Sequence, residues 1–240
     1  MPFLSWISDE KIKFAFQTFI NAVNHGKHQV ESKFDRNVID PFSALFSMEL
    51  FDLSPEEWKK SEIQRQVDKA LSNAIGTFHQ QILSSISGWE DLNNSNQVDL
   101  VNRKKMIIAE LKNKHNTLNA AGTIKLYEKL SDLVNSKSSI FKGYTSYYVT
   151  IIPKNPNGID DLFYPSDNAS GERSKQDDKI RVIDGKRFYA LASGVETALD
   201  DLFSVTPEVL KELNVKMSKP LDLCFINSIF HKAYEDDSMI

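Results

Sequence analysis

A chain of 240 residues can bury a full core as one large domain or two small ones, and 41% hydrophobic with 26% charged residues is ordinary for a soluble globular protein. A net charge of −4 argues against a protein that coats nucleic acid non-specifically, and the single cysteine, Cys224, excludes an intramolecular disulfide and a cysteine-based zinc site. No apolar run approaches the ~18 residues of a membrane span, and Met1–Ile7 lacks the basic start and apolar core of a signal peptide, so a cytoplasmic, membrane-free protein is expected.

Ser8-Asp9-Glu10 predicts a helix start, and Ile12, Phe16, Phe19, Ile20 and Val23 give that helix an apolar stripe until Asn24–His28 breaks it. His25 and His28 have no acids nearby and are assigned to a solvated loop. Asp40-Pro41 opens a short turn or helix whose Phe42, Leu45, Phe46 and Leu50 look like core. Ser54-Pro55-Glu56-Glu57 supplies an N-cap, a proline at the first helical position and acids in the first turn. The long helix that follows runs to Ser87, with Gly88 as its stop and Trp89 packing beyond. His79 and Gln80 stand beside its apolar stripe, the histidine as a surface or hydrogen-bonded core residue. Neither Glu49 nor Glu62 is assigned to a site.

The stretch Gln97–Thr117 organises the rest. With Asn102–Lys105 as the turn of a hairpin, Val101 lies opposite Met106 and Asp99 opposite Ile108. Along Met106–Asn113 side chains alternate, so Met106, Ile108, Glu110 and Lys112 share one face, and Ile107, Ala109, Leu111 and Asn113 the other. Asp99 is then diagonal to Glu110, a backbone separation of about 7–8 Å that side chains can close. Two converging carboxylates repel and need a cation, and hard oxygens in this arrangement suit Mg²⁺, which keeps several waters. Lys112 is placed to orient a bound water and to stabilise charge developing on a phosphate. From Val101 to Thr145 the basic residues are Arg103, Lys104, Lys105, Lys112, Lys114, Lys125, Lys129, Lys137 and Lys142, against only Glu110, Glu128 and Asp132. Basic charge therefore surrounds the proposed site.

Thr123–Val134 predicts an amphipathic helix on which Lys125 and Lys129, at i and i+4, form a solvated face. Tyr144–Pro153, rich in Tyr, Thr, Val and Ile, is the next central strand, reached by a right-handed crossover. Asn155–Lys179 is a long polar segment in which Arg173 and Lys175 are placed to become ordered on a substrate. Ile180–Ile183, Asp184-Gly185 and Lys186–Ala192 together predict a hairpin with a type I′ turn. Arg181, Lys186 and Arg187 flank that turn, and a basic two-stranded ribbon fits a major groove. Beyond Gly194 helices are expected over Glu196–Phe203, Pro207–Leu213 and Leu221–Tyr234. The last is apolar over much of its surface and offers a dimer face; Cys224 within it is assigned as a small buried hydrophobe.

Asp99, ten residues, then Glu110-Leu111-Lys112 resembles the Asp…(Asp/Glu)-x-Lys signature of the PD-(D/E)XK nucleases, with Val98 where the signature's name has proline. Longer stretches add to it: DPFSALF (Asp40–Phe46), AIGTFHQQILSSISGW (Ala74–Trp89), IIAELKNKHNT (Ile107–Thr117), KSSIFKGYTSYYVTIIPK (Lys137–Lys154) and IRVIDGKRFYAL (Ile180–Leu191). Together they resemble a family of type II restriction endonucleases that cut interrupted, GC-flanked sites of the GGNCC kind, over about Asp40–Val209.

The resemblance implies an α/β fold: a restriction-endonuclease-like mixed central β-sheet flanked by helices, with helical N- and C-terminal segments. It implies one nuclease domain over 1–240, with a helical segment at 1–53, a catalytic core and recognition hairpin at 54–193, and a helical segment at 194–240. It further implies a sequence-specific endonuclease of double-stranded DNA in which Asp99, Glu110 and the Leu111 carbonyl hold Mg²⁺ and Lys112 serves the attacking water. A two-fold target implies a homodimer, and a restriction enzyme implies a cognate DNA methyltransferase. Candidate phosphate contacts are Lys104, Lys105, Lys114 and Lys142. Asn116 and Ser138 lie near the hairpin's exit, Arg173 and Lys175 in the polar segment, and Arg181, Lys186 and Arg187 are candidates for base contacts. Two other readings stay open: a repair nuclease or junction resolvase that reads shape, and a non-catalytic DNA-binding or interaction module. In the latter the Glu110/Lys112 pair is a surface ion pair worth about 0–1 kcal/mol, which explains poorly why both residues stand within the apolar run MIIAEL.

Overall fold

The computed structural model describes residues 2–92, 97–165, 174–216 and 219–235. They fall into two compact units, Met1–Phe14 with His79–Ile240, and Ala15–Phe78. The elements are α1 (Asp9–Lys33), α2 (Pro41–Phe51), α3 (Pro55–Ser85), β1 (Glu90–Asp91), β2 (Leu100–Asn102), β3 (Ile107–Lys114), α4 (Ala120–Asn135), β4 (Thr145–Ile152), β5 (Asp160–Leu162), β6 (Ile180–Asp184), α5 (Gly185–Ser193), α6 (Ala198–Glu212) and α7 (Leu223–Tyr234). The unit boundaries lie within α1 and α3.

The larger unit carries the expected mixed sheet flanked by helices, six strands in the order β1-β2-β3-β4-β6-β5. β3, β4 and β6 run parallel, while β1, β2 and β5 pair antiparallel. α4 connects β3 to β4, and its Leu126, Tyr127, Leu130 and Val134 pack with Ile108, Tyr148 and Ile180 on one face of the sheet. α5 covers the other face, where Phe188 meets Tyr147 and Trp89. Tyr147 and Tyr148 are neighbours pointing oppositely, as strand alternation requires. The sheet is thus covered on both faces, as a parallel centre demands.

Asp184-Gly185 is not a hairpin turn, and the chain does not return as a strand. Asp184 caps α5 by accepting the Arg187 N–H at 3.1 Å, and Gly185 begins the helix. The glycine is required by a close approach: a Cβ there would lie 2.5 Å from the Ile151 carbonyl oxygen of β4. Phe188, Tyr189 and Ala192 then bury on helical spacing. The polar segment Asn155–Lys179 also differs from expectation, since β5 pairs Asp160–Leu162 with β6. Two expected C-terminal helices are one, α6, with Pro207 inside it. The proline removes one donor, but Leu202 and Val209 are buried on either side and hold the helix through it.

α7 meets the rest of its unit through Phe230, stacked on Phe203 at 4.4 Å, and Tyr234, whose hydroxyl donates to the Ile151 carbonyl at 3.0 Å. Cys224 lies off that face and is exposed rather than buried, with Leu223, Phe225 and Ile229.

In the unit Ala15–Phe78, Ser54 is the expected N-cap and forms a capping box with Glu57, each side chain bonding the other's backbone N–H. α1 is not broken at Asn24–His28. Gly26 is a packing glycine, not a stop: a Cβ there would meet the Ala70 Cβ of α3 at 2.8 Å. Phe42, Leu45, Phe46 and Leu50 of α2 are exposed, not core. The apolar residues of α2 are spread around the helix and give it no single face to bury. Among the described residues no helix is long and apolar enough to cross a membrane.

Candidate active site

β2 and β3 place the two carboxylates, in a register two residues from the expected one. Val101 pairs with Ile108 and Asn102 with Ile107, so the turn is Arg103–Met106. Asn102 is buried strand, its side chain accepting the Lys105 N–H at 2.9 Å, while Met106 takes the left-handed backbone (φ 54°) that closes the turn. A slip of two leaves every side chain on its face. Glu110 and Lys112 still share one, and Asp99 still converges on them.

Asp99 is fixed on three sides. Its N–H donates to the Ala109 carbonyl at 3.1 Å, and its carbonyl accepts from the Leu92 N–H at 2.9 Å and from Gln80 Nε2 at 3.4 Å. Its carboxylate Oδ2 accepts the Leu111 N–H at 2.7 Å. The same Gln80 amide donates to Asp91 Oδ1 at 3.1 Å. Glu110, only 9% exposed, divides its oxygens between two ammonium groups: Lys112 Nζ lies 2.8 Å from Oε1 and Lys129 Nζ 2.9 Å from Oε2. Burial pushes the Asp99 carboxyl above its ordinary range, and the Glu110 charge adds to this; the Leu111 N–H, Lys112 and Lys129 oppose the rise. Crowded, partly desolvated carboxylates of this kind are relieved by a cation.

The donor set fits a hard divalent ion. Leu111 turns its N–H toward Asp99, and on a strand the carbonyl of a residue faces the same neighbour as its N–H. Among the described residues no group of three or more His, Cys, Asp or Glu gathers. Two carboxylates and a carbonyl are too few for a closed zinc site but suit Mg²⁺, which retains waters.

Sequence reasoning missed Lys129. Assigned with Lys125 to a solvated face, it stands about 60° around the helix from the buried Leu126, at the margin of the stripe. That margin was the available signal. Lys125 is exposed as expected. His79 is a half-buried, hydrogen-bonded residue, its Nδ1 2.8 Å from the Tyr189 hydroxyl, and desolvation pushes it down to about 4. Glu62 is engaged by Arg65 and Gln66 in the other unit.

The remaining candidate residues are dispersed. Lys114 and Asn116 are exposed at the end of β3 nearest Lys112. Lys104 and Lys142 are exposed beside the starts of β3 and β4, and Lys112 is about 17 Å further along at ~3.3 Å per residue. Lys105 lies at that same far end, with its ammonium on the Leu191 carbonyl. Ser138 is exposed beyond α4, its hydroxyl 3.1 Å from that of Ser136, and Lys175 is exposed with its carbonyl accepting from Tyr127. Arg173 lies outside the described residues. The three cations expected on a free ribbon are paired instead: Arg181 with Asp160 at 2.7 Å, Lys186 with Asp200 at 3.0 Å and Glu235 at 3.5 Å, and Arg187 with Asp184 at 2.6 Å.

A mixed six-stranded sheet covered on both faces is consistent with a restriction-endonuclease-like fold, and similarity to known proteins makes the class that of type II restriction endonucleases. The chain belongs to the Eco47II restriction endonuclease family, whose model matches residues 4–215. It is 41% identical over 211 residues to the type II restriction enzyme Eco47II of Escherichia coli, covering 88% of each chain. It is 29% identical over 214 residues to the type II restriction enzyme Sau96I of Staphylococcus aureus, covering 88% of this chain and 80% of that one.

Proposed function

We propose that the protein hydrolyses phosphodiester bonds of double-stranded DNA at a specific site with Mg²⁺, through a PD-(D/E)XK centre formed by Asp99, Glu110 and Lys112. The observation that carries this reading is the convergence of a hydrogen-bonded Asp99, its carboxyl pushed up by burial and then by the Glu110 charge, on a buried Glu110 with Lys112 on the same strand face. Asp99, Glu110 and the Leu111 carbonyl are the groups that would hold the ion. When bound, Mg²⁺ lowers the pKa of a coordinated water and neutralises phosphate charge. The Leu111 N–H fixes the Asp99 carboxylate. Lys112 orients the water that attacks phosphorus in line and stabilises charge on the non-bridging oxygens.

Resemblance to enzymes of the GGNCC kind supports an interrupted, GC-flanked palindrome as the target. A two-fold target calls for two active sites, hence a homodimer, and a cell holding such an enzyme needs a methyltransferase to protect the same sequence. Family membership favours this reading over a repair nuclease or junction resolvase. Lys114 and Asn116, exposed beside Lys112, are the proposed contacts nearest the scissile phosphate, and Lys104 and Lys142 reach phosphates further along the duplex. Arg181, Lys186 and Arg187 serve DNA only by exchanging their carboxylate partners for it. Incubating plasmid with the protein in Mg²⁺ or in chelator, then sequencing the ends, tests the function. Discrete ends at one short palindrome, formed in Mg²⁺ alone, are expected; ends at unrelated sequences, or cutting in chelator, would overturn it.

A further inference from the structure

Glu110 is almost fully withdrawn from water, yet both its oxygens are met by ammonium groups from different elements. A buried carboxylate needs such compensation. The two lysines are not equivalent. Lys112 is two residues away on the same strand and its side chain is 25% exposed; its place is set by the backbone that sets Glu110. Lys129 comes from α4, which Leu126, Tyr127, Leu130 and Val134 anchor to the sheet, and its side chain is 38% exposed. It also lines an open cavity of about 400 Å³ with Gln97, Asp132, Ser136 and Ser139. Asp132, three residues on along the helix, is within reach of its ammonium. Lys129 therefore has somewhere to go and a counter-charge to meet there.

We propose that Lys129 is a positioning residue of the active site, holding the Glu110 carboxylate in the place of a divalent cation and withdrawing toward its cavity when the cation binds. This rests on the reading of Glu110 as a metal ligand. A cation at Glu110 Oε2 and the Lys129 ammonium compete for one oxygen and repel each other. The lysine keeps the buried carboxylate charged and aimed while the site waits, at the cost of weaker metal binding. A merely structural lysine gives the reverse: its loss lets Glu110 stray and weakens the metal.

Calorimetric titration of Ca²⁺ into the DNA-free protein distinguishes these, with thermal melts confirming the fold of each variant. Lys129→Met should bind Ca²⁺ about fivefold tighter than wild type, the factor for a pair worth about 1 kcal/mol. Lys129→Gln, which keeps a donor to Glu110 without the charge, should do the same, and Lys129→Arg should stay near wild type. Mg²⁺-dependent cleavage by Lys129→Met should fall although its metal binds more tightly. Unchanged or weaker Ca²⁺ binding in both neutral variants, with wild-type binding lost in Glu110→Gln, would overturn the inference alone. A wild type that takes up no Ca²⁺ or Mg²⁺ would overturn the metal reading and the inference with it.

Discussion

Glu110 and Asp99 feel each other's charge but are compensated differently: one by two ammonium groups, the other by a backbone N–H and by those same charges at longer range. Removing one partner of such a group exposes the cost of its burial, whereas neutralising the group does not. Glu110→Gln and Lys112→Ala should each lower cleavage by roughly 10²-fold or more, the usual scale for a lost electrostatic contact at a reacting centre. Circular dichroism should show both folded. A second residue-scale expectation concerns His79. Its folded value, about 4, lies below the ordinary 6.5. The unfolded chain binds more protons in that interval, so stability is fully present above about pH 6.5 and is lost as pH falls toward 4. The contribution is of order 3 kcal/mol at most. Melting temperatures measured from pH 4 to 8 should fall steeply on the acid side in wild type and less steeply in His79→Gln. Parallel curves would contradict the assignment. The placing of Asp99, Glu110 and Lys112 on one face was legible because alternation survives a two-residue slip. Lys129 was not, because its partner lies on a strand nineteen residues earlier, and no local pattern reports that pairing.

At the scale of elements, three glycines play two opposite parts in this chain. Gly88 ends its helix with a left-handed backbone (φ 85°), as the sequence suggests. Gly26 and Gly185 exist for close approach, to Ala70 and to the Ile151 backbone, and neither breaks a helix nor makes a turn. An Asp-Gly pair serves a type I′ turn and a helix N-cap equally well. What decides here is Phe188, Tyr189 and Ala192, buried on one helical face under the sheet. Gly185→Ala should therefore cost about 1–3 kcal/mol, as overpacking of a tight contact does. Urea denaturation should show a lower midpoint with an unchanged slope. An unchanged midpoint would mean that β4 and α5 yield more readily than the 2.5 Å contact implies. The exposure of Phe42, Leu45, Phe46 and Leu50 on α2, and of Cys224 on α7, escaped sequence reasoning for a related reason. Hydrophobic residues announce a face to be covered, and not whether this chain alone covers it.

For the whole molecule, the mixed α/β class followed from the family resemblance, and the neighbouring of β3 and β4 was legible from the crossover helix between them, whereas the place of β6 beside β4 was not. The short edge strands β1 and β5, two and three residues long, carry too few residues for a pattern. Symmetry of the proposed target extends the account beyond one chain. Sedimentation equilibrium in the presence of target duplex should give a complex of twice the 27.3 kDa of a protomer plus the mass of one duplex. A monomer that cuts both strands of a palindrome at full rate would contradict the homodimer.

The measurement that bears most directly on the central claim is single-turnover cleavage of the mapped site by wild type and by Asp99→Asn, with matched DNA affinities in Ca²⁺. Wild type should cut in Mg²⁺, and Asp99→Asn should bind the duplex comparably while cutting at least ~10²-fold more slowly. Cleavage by Asp99→Asn at the wild-type rate would show that the chemistry resides elsewhere.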